Sequence, residues 1–243
     1  MDRTTRLTKL FISMMLLAAT TSTVYAGIAS HALHWYYALA LLTLAAATSR
    51  MKVKLPGIEG NMSVNLPFLL MAVVNLSAIE AVSIASLSTV VQCWPQPGAK
   101  FKLEKMLFNT GMMAFAAGLA NLFLQAGWMV RASWTSQPVL LASATLVFFV
   151  GQTVPVAGII SLTQSQPMRR VWMSIVQLSF PYYIVSMGIT SMLNLVGRGF
   201  GWPAALVVFP VMYGIHRSYR IYFGREAEAR STPPLTRAAS AGV

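Results

Sequence analysis

The sequence predicts an all-α fold: a polytopic transmembrane helix bundle of about eight segments, one pair of them a short hairpin, with both termini cytoplasmic. Composition is the first reason. Of 243 residues, 56% are hydrophobic and 10% charged, with mean hydropathy +0.62. That leaves too little polar surface to cover a soluble globule of this size. The second reason is a series of apolar runs near the ~20 residues that a helix needs to cross a bilayer. The third is where the cations fall. Sixteen of the 18 lysines and arginines lie in alternate gaps between those runs, and only Arg131 and Arg198 lie in the others. Translocating lysine and arginine is unfavourable, so these gaps face the cytoplasm. The net charge of +12 therefore reads as topology, and no nucleic-acid partner is expected.

Taken in order, residues 10–29 form the first span, behind Arg3, Arg6 and Lys9. The basic start, the run Leu10 to Ala18 and Val24-Tyr25-Ala26 also fit a cleavable signal peptide; a retained first helix is favoured because a second run, 32–49, follows at once. Residues 50–67 alternate like an extended strand and carry Gly57, Gly60 and two prolines, which reads as a cytoplasmic loop or a re-entrant lining element. Leu66 to Gln92 is too long for one span and short for two. A single span would place Lys100, Lys102 and Lys105 outside; two short helices turning near Ser77 to Glu80 return that loop to the cytoplasm.

Runs near 106–129, 138–162, 171–196 and 202–220 complete the bundle. Ala114, Ala116, Ala117, Gly118 and Ala120 allow close helix approach, while Pro155, Pro181 and Pro210 each interrupt one of the last three helices. Trp35, Trp94, Trp128, Trp134, Trp172 and Trp202 all fall at expected helix ends, where an indole prefers the headgroup level. The expected organisation is a membrane domain over 1–220, a cytoplasmic exit helix over 221–230 and a disordered tail over 231–243.

The chemical inventory points away from catalysis. No HExxH, Walker loop, nucleophile elbow or CxxC occurs, and there are only six acids and three histidines. No enzyme activity, cofactor or metal is expected. The single Cys93 excludes an intramolecular disulfide and a cysteine cage. His31 and His34 could share a helix face, but interfacial histidines beside Trp35 explain them more simply. Glu80 lies within membrane-embedded sequence, where a carboxylate must pair, cap a helix or bind a ligand. Asn75, Asn109 and Gln152 join it as candidate ligand-binding residues, with interhelical hydrogen bonding the ordinary alternative. Gln152 stands out because Thr153 and the carbonyl freed by Pro155 converge beside it.

Two stretches carry a family resemblance: SVNLPFLLMAVVNLSAIEAVSIASLSTVVQ, and LEKMLFNTGMMAFAAGLA after a short basic loop. They resemble the multi-pass sensor modules of the MASE type, which precede cyclic-di-GMP-related GGDEF or HD-type output domains in bacterial signalling proteins. The stretch FPVMYGIHRSYRIYFGREAEAR is similar to the basic helix leading from such modules to their output domain. Pro67, Glu80 and Asn109 match the pattern, which implies the sensing of a membrane or extracytoplasmic signal. The chain ends after this helix, so output is expected to pass to a cytoplasmic signalling partner through Arg217, Arg220, Tyr222 and Arg225. The expectation is a noncatalytic sensing module of the bacterial cytoplasmic membrane, with an unknown small-molecule ligand. A looser similarity to the substrate-capturing membrane subunits of vitamin importers supports the alternative of a transporter, its site formed by Asn75 to Glu80 and the Gln152 region.

Overall fold

The computed structural model describes residues 3–29, 33–54, 61–95, 101–125 and 137–200, with single positions at 210, 213, 214, 217 and 218. Seven helices occur among them: α1 (Arg3–Ala29), α2 (Trp35–Ser49), α3 (Leu66–Asn75), α4 (Ala78–Cys93), α5 (Leu103–Gln125), α6 (Gln137–Gln164) and α7 (Met168–Phe200). Three are long and apolar enough to cross a membrane, within Arg6–Ile28, Leu103–Gln125 and Val139–Gln164. The expected helical bundle is therefore present. The run at 202–220 lies outside the described residues, apart from the single positions above.

The stretch after α2 is a small antiparallel ribbon. Strand β1 (Lys52–Lys54) pairs with β2 (Asn61–Ser63), with Val53 opposite Met62. Its alternating sequence is thus expressed as strand, although too briefly to alter the helical class.

The stretch expected to turn near Ser77 to Glu80 is broken into two helices slightly earlier, at Leu76 and Ser77. Helix α3 ends at Asn75, Leu76 adopts an extended backbone, and Ser77 caps α4. At 1.5 Å per residue, α3 is about 15 Å long and α4 about 24 Å, against a hydrocarbon core of about 30 Å. Neither spans it alone. Residues Leu66 to Val73 are all buried, so every face of α3 meets protein. Such a helix presents no apolar stripe, and its uniformly apolar sequence, LPFLLMAVVN, is the pattern of a core helix.

Helix α5 is the central pillar, flanked by α1, α4 and α6. Small residues permit this. A Cβ on Gly118 would collide with the Ser22 hydroxyl of α1 and sit 3.4 Å from Val82 of α4. One on Gly111 would meet Leu16 at 3.2 Å, and one on Gly151 of α6 would lie 3.3 Å from the Ala116 backbone. The Ala114 to Gly118 spacing thus serves helix packing as its small residues predict.

Pro155 and Pro181 lie inside α6 and α7 without ending either helix. The run expected at 171–196 is a helix of 33 residues, about 50 Å, longer than a bilayer crossing requires. Between α6 and α7 the chain reverses in three residues. Ser165 takes a left-handed backbone (φ 53°), and the Ser161 hydroxyl donates to the Gln166 carbonyl at 2.6 Å.

Candidate functional site

Several polar side chains of the bundle gather at the ends of the short helix α3. A helix leaves several backbone N–H groups unpaired at its start and several carbonyls at its end. In a helix this short and this buried, other side chains must meet them. At the start, the Leu66 N–H donates to the Tyr182 hydroxyl at 3.3 Å, and the Thr190 hydroxyl donates to the Pro67 carbonyl at 3.3 Å. Both partners come from α7. At the other end, Asn121 of α5 donates through Nδ2 to the carbonyls of Val73 (3.0 Å) and Leu76 (3.4 Å). Gln125 holds that amide in place by donating to Asn121 Oδ1 at 2.6 Å.

The hairpin turn carries the densest cluster. Asn75 donates through Nδ2 to Asn194 Oδ1 of α7 at 2.8 Å, and the Tyr37 side chain of α2 lies beside Asn75. Glu80, 7% exposed, sits at the third position of α4 and forms a capping box with Ser77. The Ser77 N–H and hydroxyl both donate to Glu80 Oε2, at 3.0 and 2.6 Å. The other oxygen, Oε1, accepts the His34 N–H at 2.6 Å. The carboxylate therefore stabilises two features at once: the start of α4, through dipole and cap, and the entry to α2, whose first helical residue is Trp35. Of the roles open to Glu80 in the sequence, the cap is formed.

The remaining candidates occupy other places. Asn109 of α5 donates to the Cys93 sulfur at 3.4 Å, tying the end of α4 to the following helix. Gln152 of α6 accepts a hydrogen bond from the Tyr183 hydroxyl of α7. Beside it, the Thr153 hydroxyl accepts the Trp172 indole N–H at 3.2 Å, so Trp172 is turned inward onto α6 while Trp35 and Trp94 are exposed. Asn75 and Glu80 are thus brought together, Asn109 lies at the far end of α4, and Gln152 belongs to the α6–α7 seam. Arg217 is exposed; Arg220, Tyr222, Arg225 and His31 lie outside the described residues.

Sequence reading missed Tyr37, Tyr182, Tyr183 and Thr190 as members of this polar framework. The signal for the cap was present in Ser77-Ala78-Ile79-Glu80, the S-x-x-E pattern of a capping box. No comparable local signal marks the tyrosines, whose partners are distant in sequence. Among the described residues, no group of three or more His, Cys, Asp or Glu could hold a metal ion. Comparison with protein-family models, curated proteins and solved structures finds no match to this chain.

Proposed function

We propose that the protein is a multi-pass membrane module that binds a small molecule or membrane signal at the hairpin turn, with both termini cytoplasmic and no catalysis of its own. The observation that carries this reading is the cluster at Asn75 and Glu80. There Glu80 of α4 accepts from the His34 backbone at the start of α2, Asn75 of α3 donates to Asn194 of α7, and Tyr37 of α2 lies beside Asn75. Polar groups grouped at a helix break are where a membrane protein can exchange an internal hydrogen bond for one to a ligand.

Coupling follows from the same bonds. A ligand competing for the Asn75 amide would remove one of the hydrogen bonds that tie α7 to α3, and it can shift the helix arrangement only by its difference in affinity for the two states. Helix α7 leads toward the basic segment His216 to Arg230, the surface proposed for a cytoplasmic signalling partner. The cation pattern supports a bacterial cytoplasmic-membrane location, and the charge-directed hairpin supports an even number of crossings.

The test is mass spectrometry of small molecules retained by the detergent-purified chain. Asn75→Leu with Asn194→Leu removes the amide pair without emptying the space. A compound carried by the parent and absent from the double variant, with melting temperatures within a few degrees, is the expected result. An identical retained set, or none in either protein, would sink the reading.

A further inference from the structure

We infer that the cleft at the start of α7 binds the phosphate headgroup of an anionic phospholipid in the cytoplasmic leaflet. The cleft measures about 510 Å³ and is lined by Pro167, Arg169, Arg170, Met173, Ser174 and Gln177. Its two arginines are exposed. Of the six acids in the chain, only Glu80 and Glu104 lie among the described residues, and Glu80 is engaged by Ser77 and His34. Neither guanidinium forms an ion pair among the described residues. Two adjacent guanidiniums with no ion-pair partner among the described residues offer the bidentate donors that a phosphate diester accepts.

The rest of the lining fits a lipid rather than a soluble anion. Met173 and Pro167 place apolar surface beside the arginines, where the glycerol and first methylenes of a phospholipid would lie. Helix α7 continues from there with exposed Phe180, Ile184 and Val185, a track for an acyl chain. The tight α6–α7 turn at Ser165 lies just before the arginines, and the proposed topology puts that turn at the cytoplasmic membrane border. Basic pockets at the cytoplasmic ends of membrane helices recognise anionic headgroups because the leaflet there is negatively charged. The inference rests on the proposed membrane setting and the inward-facing 165–167 turn, and owes nothing to the ligand at the hairpin.

The experiment uses the full chain, delipidated in detergent and titrated with phosphatidylglycerol or phosphatidylcholine, with bound lipid counted by native mass spectrometry. Phosphatidylglycerol should bind selectively, and Arg169→Gln with Arg170→Gln should weaken it about thirtyfold, from two basic residues near an anionic group. Met173→Glu, at an exposed position, should weaken it comparably by repulsion and serves if the double variant misfolds. Equal binding of both lipids, or unchanged phosphatidylglycerol affinity in both variants, overturns the inference. Full competition by millimolar inorganic phosphate also overturns it, since the cleft would then be a soluble-anion site. Readout in detergent is independent of the hairpin ligand, so its failure leaves the reading of that site untouched.

Discussion

Helices α1 and α3 are both apolar and both lie against α5, yet they are held in opposite ways. Helix α1 has 27 residues, enough to satisfy its own backbone across a bilayer, and only 17% of its most apolar window is buried. It is attached by shape: Phe11 beneath Gly158, Leu16 and Ala19 against Gly111, and Ser22 over Gly118. Helix α3 has ten residues and is buried on every side. Its backbone and last side chain donate to Tyr182 and Asn194 and accept from Thr190 and Asn121, and these hydrogen bonds attach it. A helix that is long enough needs only close packing in an apolar medium. One that is too short transfers its unpaired groups to its neighbours, and those neighbours become the polar part of the molecule.

The largest effect expected from breaking this contrast is at Glu80. Replacing it with alanine removes three hydrogen bonds to a charged, nearly buried acceptor and leaves the His34 and Ser77 donors without it. A loss of about 3 kcal/mol follows from hydrogen bonds of this kind. Thermal unfolding in detergent should show it. Glu80→Gln should recover part of the loss, since an amide oxygen can still accept one of the three. If both variants unfold like the parent, the capping role is wrong.

On the α1 side, Gly118→Leu is the counterpart. The added side chain must displace Ser22 and Val82, and overpacking of this kind costs about 2 kcal/mol. Because the described contacts of α1 with α5 and α6 are close packing, the expected readout is local: new protease cleavage within α1, with α3 to α5 still protected. Uniform unfolding would instead place α1 in the same cooperative unit as the hairpin.

Asn121→Leu acts on α3 from its other end. It keeps the volume close and strips the Val73 and Leu76 carbonyls of their donor. Buried hydrogen bonds in membrane proteins are worth about 1 kcal/mol or less, because the unfolded helices also find partners. A decrease of that size, smaller than for Glu80→Ala, is the ordering to verify by chemical denaturation in one detergent.

How far the sequence foretells this contrast depends on the range of the forces involved. That the stretch breaks into two helices was legible from charge placement, a global constraint; the break itself lies at Leu76 and Ser77, before the expected Ser77 to Glu80, where the Ser77-x-x-Glu80 cap starts α4. The packing face of α5 was legible in its small residues. The attachment of α3 was not, since Tyr182 and Thr190 are separated from their partners by 116 and 123 residues. A tyrosine following Pro181 reads equally well as an interfacial anchor or a core ring. The length of α7 was hidden for a related reason: Pro181 argues for a break, and only the packing of α7 along α3 and α6 carries the helix through it.

The smallest stability effect is expected at Asn109, and its value lies in what it separates. Among the described residues its amide donates only to the Cys93 sulfur, a weak acceptor, at 3.4 Å on a partly buried surface. Asn109→Ala should therefore change the melting temperature little, with a loss below about 0.5 kcal/mol. Cys93→Ser should be equally mild. If Asn109 served only this seam, the small-molecule content of the purified protein would be the same in parent and variant. The proposed hairpin site predicts that sameness, because Asn109 lies at the opposite end of α4 from Glu80. Loss of a retained compound in Asn109→Ala, without loss of stability, would move the binding site to the Cys93 end of the bundle and leave the hairpin cluster with a purely structural role.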